Sequence, residues 1–174
     1  PSELTRAEYD VMIETRNLVA LLRESVPGFE RAFVLDTPKA GVRETRHFQG
    51  EYVLDIADVL TIREFGDTIG KGCHPVDIGP IPDEVEQLGQ RNAWYFNIPY
   101  RILVAIGRDN LLLAGRCTSA TREAAGCLRP TVTCMVMGQA AGTAAAMLSG
   151  GGQAVRDIDT RSLRDLLREQ GAVL

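Results

Sequence analysis

The sequence predicts an α/β fold, or α+β for this chain taken alone, in which helices flank a mixed sheet. Two observations carry this prediction. The unbroken apolar run in "NLLLAG", residues 110–115, is typical of a strand buried on both faces. A long Ala-rich segment without a single charge, residues 131–148, follows after a polar loop and has the length of a buried helix. A strand, a loop and a helix in this order are typical of α/β proteins.

The first third of the chain contains one helix and short candidate strands. Thr5 and Glu8 form a capping-box pattern at the start of an amphipathic helix, which Pro27 and Gly28 end. We expect strands in "RAFVLDT" (residues 31–37) and "HFQGEYVL" (residues 47–54), with Gly50 as a bulge or a point of close backbone approach. A short helix capped by Asp55 follows in "IADVLTIREF".

The remaining elements are predicted in the same way. A strand with irregular ends lies in "DTIGKGCHPVDIG", and residues 80–91 are polar and rich in turn residues, as in an exposed loop. "WYFNIPYRILVAI" predicts strands broken at Pro99, because proline has no N–H to donate. The Ala-rich helix ends at the glycines 150–152. The last helix begins at Asp159, ends at Gly171 and buries Leu163, Leu166 and Leu167.

The charge and the hydropathy exclude several classes of partner. The net charge of −4 and the absence of a basic stripe argue against nucleic acid, which requires clustered Lys and Arg. Residues 131–148 are long enough to suggest a membrane span, but three threonines, Gln139 and two glycines favour a buried helix instead. The polar start of the chain does not resemble a signal peptide. We therefore expect no nucleic-acid partner and no membrane.

The four cysteines do not form a metal-binding pattern. They lack a CxxC pair, and only His47 and His74 are available beside them. Structural zinc sites use ligand pairs two to four residues apart, so no metal is expected. Reduced thiols in a cytoplasmic protein are the preferred interpretation. A catalytic Cys73–His74 couple is not expected, since neighbours on an extended chain point to opposite faces.

The strand–loop–helix segment has the features of a ligand site. The first N–H groups of a helix have no partner inside the helix, and the macrodipole adds positive charge at that end. Gly115 would allow a ligand to approach the backbone closely. The alternative is tight helix–sheet packing, because Gly138, Gly142 and Ala145 give the helix a smooth face that such packing also uses.

Two long stretches resemble a known family. These are "IPYRILVAIGRDNLLLAGRCTSATREAAGCLRPTVTCMVMGQAAGTAAAML" (residues 98–148) and "GVRETRHFQGEYVLDIADVL" (residues 41–60). The chain resembles the carboxy-terminal part of FAD-dependent oxidoreductases of the glutathione-reductase-like flavoprotein group. The resemblance implies two parts: a substrate-domain region over residues 1–106 and the end of an FAD-binding domain over residues 107–174.

The resemblance also implies a set of FAD-binding residues. Amides near the start of the Ala-rich helix would stabilise negative charge at flavin N1 and O2, although Pro130 has no N–H. Arg129 would add positive charge there, or it would instead pair with Glu123 or a carboxylate outside the chain. The implied cofactor-binding residues are Ala114, Gly115, Arg116, Arg129, Thr131, Val132 and Thr133.

The family's GxGxxG fingerprint is absent from the sequence. We therefore expect the chain to be a fragment, or one part of a split enzyme, without the half of the site that binds pyrophosphate and adenosine. Core-facing residues would then be exposed, which predicts self-association as a homodimer or binding to the missing half.

A polar cluster supplies the candidate catalytic residues. Arg43, Glu44, Arg46 and His47 lie close in sequence and would act as an anion clamp or proton relay for a small-molecule substrate, or else form a surface ion-pair ladder. With Arg129, the candidates are Arg43, Arg46 and His47. The predicted function is hydride transfer between a small organic substrate and flavin. The alternative is a non-catalytic α/β binding or assembly module that has lost the cofactor.

Overall fold

The computed structural model describes residues 2–37, 39, 41–44, 46–76, 78 and 95–174. The chain divides into two compact units, Pro1–Val42 and Arg43–Leu174. The predicted loop at residues 80–91 lies outside the described residues. The predicted boundary between residues 106 and 107 concerns the assignment of functional domains, and it stays a prediction.

The first unit consists of helix α1, Ser2–Ser25, and the segment after it. The helix begins before Thr5, so the predicted capping box at Thr5 and Glu8 is wrong, because both residues lie inside the first two turns. No residue of α1 is buried. The helix ends before Pro27 and Gly28, as predicted, and Gly28 has a φ of 96°, which favours glycine.

The strand predicted at residues 31–37 is wrong, since these residues have no strand structure. Phe33 and Leu35 are largely exposed there. An apolar, alternating segment forms a strand only beside a partner strand, and none pairs with it among the described residues.

The second unit contains a two-stranded antiparallel sheet. Strand β1, Thr68–Gly72, pairs with β2, Phe96–Pro99, with a register shift between Thr68 and Gly70. The prediction that Pro99 breaks the strand is confirmed, because a 3₁₀ turn, Tyr100–Ile102, follows at once. The strand predicted within "DTIGKGCHPVDIG" is confirmed as β1.

Helix α2, Ile56–Leu60, is shorter than its predicted segment but begins as expected. The Asp55 side chain accepts a hydrogen bond from the Asp58 amide at 3.0 Å, and the Asp58 carboxylate accepts one from the Asp55 amide at 3.2 Å. This reciprocal capping box satisfies two of the amides that a helix start leaves without partners.

Two predicted strands are reduced to single bridges. In residues 47–54, Gly50 pairs with Ala105 and Leu54 with Ala120, and no continuous ladder forms. In residues 110–115, only Leu112 forms a bridge, to Val104, and the segment is half-buried or exposed. The buried strand predicted at 110–115 is therefore wrong for this chain, since a strand buried on both faces needs neighbours that the described residues do not supply.

Gly50 is a point of close approach, as predicted. A Cβ atom on this residue would lie 2.8 Å from Ser119 Cβ, and the Gly50 amide donates to Ser119 Oγ at 3.0 Å. Only a residue without a side chain fits there.

Three further helices lie in the described part of the unit: α3, Arg122–Leu128; α4, Thr131–Met147; and α5, Thr160–Glu169. Helix α4 confirms the predicted Ala-rich helix, and α5 begins at an Asp159 cap, as predicted. Helix α3 is a finding, since its sequence was expected to be loop; Thr121 caps it by accepting from the Ala124 amide. Helix α4 packs on β1 and α5.

The core of the second unit lies between the sheet and helices α2 to α5. Leu163 and Leu167 are buried as predicted, and Leu166 is half-buried. The predicted fold class is confirmed: helices flank a small sheet in an α/β arrangement. No helix in the described part of the chain is long and apolar enough to cross a membrane.

Candidate functional site

An open cleft of about 600 Å³ lies at the start of α4, near the predicted site. Four chain segments that are distant in sequence supply its walls: the region around Arg43, the segment of His74, the loop after Gly115 and the junction between α3 and α4. The residues that line it are Arg43, His74, Arg116, Arg129, Pro130, Thr131 and Cys134.

The first turn of α4 offers unused hydrogen-bond donors to this region. No side chain caps the helix, and its first internal bond runs from the Cys134 amide to the Pro130 carbonyl at 3.0 Å. Within the described ranges, no residue accepts from the amides of Thr131, Val132 or Thr133. Thr131 and Val132 are exposed, Val132 by 70% of its surface. The three donors and the positive end of the helix dipole therefore suit an anionic or electron-rich group.

Gly115 leaves space above the loop that precedes the helix. Its φ is 95°, a conformation that L side chains rarely adopt, and no atom lies within 4 Å of the position a Cβ would take. The loop is held in shape by a hydrogen bond from the Thr118 amide to the Gly115 carbonyl at 3.1 Å. The backbone at Gly115 therefore leaves space for a flat ligand to approach.

A second, smaller cavity of about 210 Å³ is lined in part by the same residues. Arg43, Arg116 and Arg129 line both cavities. Arg122, Glu44 and His47 complete the polar lining of the smaller one, and Ile78, Ala125 and Gly126 form an apolar wall. We call this cavity the arginine pocket.

Glu44 and Arg122 form a two-pronged ion pair in the arginine pocket. Arg122 Nη2 lies 2.9 Å from Glu44 Oε1, and Arg122 Nε lies 3.1 Å from Oε2. The hydrogen bond from Arg122 lowers the pKa of Glu44 and raises that of Arg122, so both groups stay charged. Both side chains are more than half exposed, so the pair contributes little to stability.

Both histidines of the chain line these cavities, and each is anchored through Nδ1. His47 Nδ1 lies 2.8 Å from the Thr118 carbonyl oxygen, and His74 Nδ1 lies 2.8 Å from that of Pro75. A carbonyl oxygen only accepts, so Nδ1 carries the proton in each ring. In the neutral ring Nε2 is then the acceptor, and it is the atom available for proton transfer.

The structure brings five of the ten sequence-predicted site residues to the two cavities. Arg43, Arg116, Arg129 and Thr131 line the cleft, whereas His47 lines the arginine pocket. Arg46 lines neither cavity.

The other predicted cofactor residues differ in exposure. Ala114 is half-buried, and its carbonyl accepts from the Cys117 thiol at 3.8 Å. Thr133 is 3% exposed as a whole residue, so it is the most enclosed of the three residues in the first turn of α4. Val132 places its side chain in the open.

No described residue packs closely on the smooth face of α4. Neither Gly138 nor Gly142 has an atom within 4 Å of the position of a Cβ, and Ala145 is exposed. Helix α4 instead packs through its opposite side, where Val136 lies over Gly70 of β1. The sequence prediction that this face serves close packing therefore requires a surface other than the described residues.

Sequence reasoning missed three members of the site. Arg122 was overlooked because α3 was not predicted, and His74 because it was considered only as a partner of Cys73. Cys134 was treated as one reduced thiol among four; it lies half-buried at the cleft, with Sγ 3.4 Å from the Arg129 carbonyl oxygen. The sequence signal that could have located Arg122 is Thr121, a residue type that caps helices and directly precedes it.

One comparison with known proteins gives a match. A family model described as FAD dependent oxidoreductase matches residues 1–167. No curated protein and no solved structure matches the chain.

Proposed function

The chain belongs to the FAD-dependent oxidoreductase family, and from this premise we propose that the cleft at the start of α4 holds the isoalloxazine end of FAD. FAD is the family's cofactor, and a small molecule is its substrate. The observation that carries the proposal is the set of three amides, Thr131 to Thr133, that face no acceptor among the described residues. They lie beside a loop that Gly115 leaves open.

The residues present fit a flavin. When bound, FAD accepts two electrons from the substrate as a hydride. The amides of Thr131, Val132 and Thr133 would donate to the flavin's electron-rich pyrimidine edge and stabilise negative charge that develops there. Donors fixed in advance in this way contribute about 3 to 4 kcal/mol each in well-studied enzymes. Arg116 and Arg129 also line the cleft and add positive charge to it.

His47 is the residue we assign to proton transfer. Its ring is fixed by the Thr118 carbonyl, which leaves Nε2 to accept a proton from a substrate held in the arginine pocket. General bases of this kind contribute about 10²- to 10⁴-fold in rate. His74 lines only the wider cleft, so we assign it no proton transfer.

We also propose that other parts of the site lie outside these residues. The sequence contains no GxGxxG fingerprint, so the pyrophosphate and adenosine of FAD would be bound by another segment or chain. The open face of α4 around Gly138 and Gly142 supports this, because small residues on an exposed helix suit a closely packed partner. A homodimer is the competing arrangement. Membership of the glutathione-reductase-like group rests on the resemblance of residues 98–148.

A cytoplasmic location is part of the proposal as well. All four cysteines are free, which is the usual state of thiols in a reducing compartment.

A pair of glycine variants tests the flavin site. Gly115 and Gly107 both have positive φ, 95° and 73°, and both have open space where a Cβ would lie. Only Gly115 lies next to Arg116 of the cleft. Gly115→Val is expected to abolish flavin binding in the complete protein, whereas Gly107→Val, which carries a similar backbone strain, is expected to retain it.

The measurement is the ratio of FAD to protein after purification, together with the thermal unfolding midpoint of each variant. Flavin retention in Gly115→Val would remove Gly115 from the site. A complete protein that binds no flavin at all would favour the non-catalytic module. The 174-residue chain alone is expected to bind flavin only weakly, and a yellow, stoichiometric preparation would contradict that.

A further inference from the structure

We propose that the arginine pocket binds the oxyanion of the substrate, so that the enzyme acts on a small organic acid carrying a carboxylate or phosphate group. The proposal deepens the proposed function and rests on it, because it makes the pocket the substrate side of the flavin cleft. The juxtaposition that supports it is the sharing of Arg43, Arg116 and Arg129 by the two cavities.

The charge of the pocket is the first argument. Four arginines line it against one glutamate, a formal excess of three positive charges among the described lining residues. The chain as a whole carries a net charge of −4, so this concentration is local. Arginine does not deprotonate in proteins, and its planar fork matches carboxylate and phosphate oxygens.

The size and the wall of the pocket define the rest of the ligand. Its volume of about 210 Å³ is smaller than the roughly 300 to 1,000 Å³ of pockets for drug-sized ligands. Ile78, Ala125 and Gly126 are the apolar residues of its lining. A short carbon skeleton with one charged end fits both features, whereas an uncharged sugar or a long acyl chain does not.

The Glu44–Arg122 pair is an example of a carboxylate bound by an arginine of the pocket. Arg122 holds both oxygens of Glu44 at 2.9 and 3.1 Å, which is the two-pronged geometry a substrate carboxylate would seek. While Glu44 is charged it occupies this fork and repels an incoming anion. The bound oxyanion therefore faces the remaining arginines of the lining, and Glu44 sets a limit on affinity.

This arrangement gives the two ends of one ion pair opposite effects on anion binding. Glu44→Gln removes a negative charge and releases the fork of Arg122, so anion affinity should rise. Arg122→Gln removes a positive charge and leaves Glu44 in place, so affinity should fall. We expect about tenfold in each direction, which corresponds to one unit charge a few ångströms away at the protein surface.

The test is a titration of the 174-residue chain with malonate and, separately, with inorganic phosphate at constant ionic strength. Binding is followed by the amide resonances of Ala125 and Gly126. The matched control is Arg168→Gln, which breaks another exposed ion pair, Arg168–Asp165, far along the chain in α5 and should leave affinity unchanged. Circular dichroism checks that each variant is folded.

The outcomes distinguish a carboxylate from a phosphate substrate, and a failure of the arginine-pocket proposal from a failure of the flavin-site proposal. Malonate binding with opposite shifts assigns a carboxylate substrate, and phosphate binding with the same pattern assigns a phosphate. The proposal would be overturned if Glu44→Gln and Arg122→Gln changed anion affinity equally and in the same direction, or if neither malonate nor phosphate bound. A flavin titration of the same variants should be unaffected, so a failure of the arginine pocket is distinguishable from a failure of the flavin site.

Discussion

His47 Nδ1 lies 2.8 Å from the carbonyl oxygen of Thr118, a residue 71 positions further along the chain. Thr118 is itself fixed, because it is buried and its hydroxyl donates to the Ile102 carbonyl at 3.1 Å. The segment that carries His47 is thereby tied to the buried turn after Arg116. The ring orientation at the arginine pocket follows from this contact.

We expect the neutral His47 ring to be protonated on Nδ1, since the carbonyl of Thr118 can only accept. Long-range proton–nitrogen spectra of the imidazole at alkaline pH measure the tautomer directly. His47→Asn places an amide N–H where Nδ1–H lies and should preserve stability. His47→Ala should lower the free energy of unfolding by about 0.5 to 1.5 kcal/mol, the usual value of one hydrogen bond. A neutral His47 ring that carries its proton on Nε2 would contradict the assignment of Nε2 as the atom that accepts the substrate's proton.

Asp58 is predicted to make stability depend on acid pH. It is 5% exposed and accepts from Tyr52 Oη at 2.7 Å and from Arg63 Nη1 at 2.9 Å. Burial alone would raise the pKa of Asp58, but the hydrogen bonds from Tyr52, Arg63 and the Asp55 amide outweigh it, so the pKa lies below its ordinary value of 3.8. The native state thus favours the carboxylate, and this contribution is present above pH 3.8 and is lost as the pH falls through the lower, native pKa.

The expected result is that Asp58→Asn destabilises the protein at pH 7 by about 1 to 2 kcal/mol and flattens the decline in stability on acidification. Urea unfolding at pH 7, 4 and 3 measures both effects. Glu44→Gln is the matched control, because the Glu44 pair is exposed and should add little to stability. An equally steep acid decline in Asp58→Asn would show that other carboxylates govern it.

Burial and the hydrogen bond to Asp58 also raise the pKa of Tyr52 to about 12, so Tyr52 supports the native state until strongly alkaline pH.

Two glycines of the α4–β1 region should respond to alanine in opposite ways. A Cβ on Gly70 would lie 2.3 Å from Val136 Cγ1, and valine is too stiff to move away easily. Gly70→Ala is therefore expected to lower the free energy of unfolding by about 1 to 3 kcal/mol. Gly138→Ala meets open space in a helix interior and should raise it by about 0.5 to 1 kcal/mol.

Urea denaturation of both variants in the 174-residue chain checks these signs. A loss of stability in Gly138→Ala would mean that the α4 face is already covered, for instance by a second copy, and light scattering would then report a dimer. Under the proposal that another segment or chain packs on this face, the same substitution should be unfavourable in that assembly, because the added methyl group would meet the packed neighbour.

Local sequence rules predicted the elements whose stability is local. The Asp55 cap, the stop at Pro99 and the Ala-rich helix were all correct, because capping, the missing N–H of proline and helix propensity act within a few residues. The strands at residues 31–37, 47–54 and 110–115 were wrong for the opposite reason: a ladder needs a partner strand, and the described residues supply only single bridges.

The candidate site divides in the same way. Gly115 and the first turn of α4 were predicted because an uncharged helix start after a glycine is a local signal. The arginine pocket was not, since Arg122 contacts Glu44, the neighbour of Arg43, from a helix that sequence reasoning had assigned to loop. The pocket could not be predicted because its residues are far apart in the sequence and come together only in the tertiary structure.

The most direct test of the flavin site is an amide titration of the 174-residue chain with FMN, which carries the same isoalloxazine. The amide resonances of Thr131, Val132 and Thr133 should shift most, together with that of Gly115, and the shifts should disappear in Gly115→Val. Shifts confined to other parts of the chain, with these four amides unchanged at saturating FMN, would contradict the account.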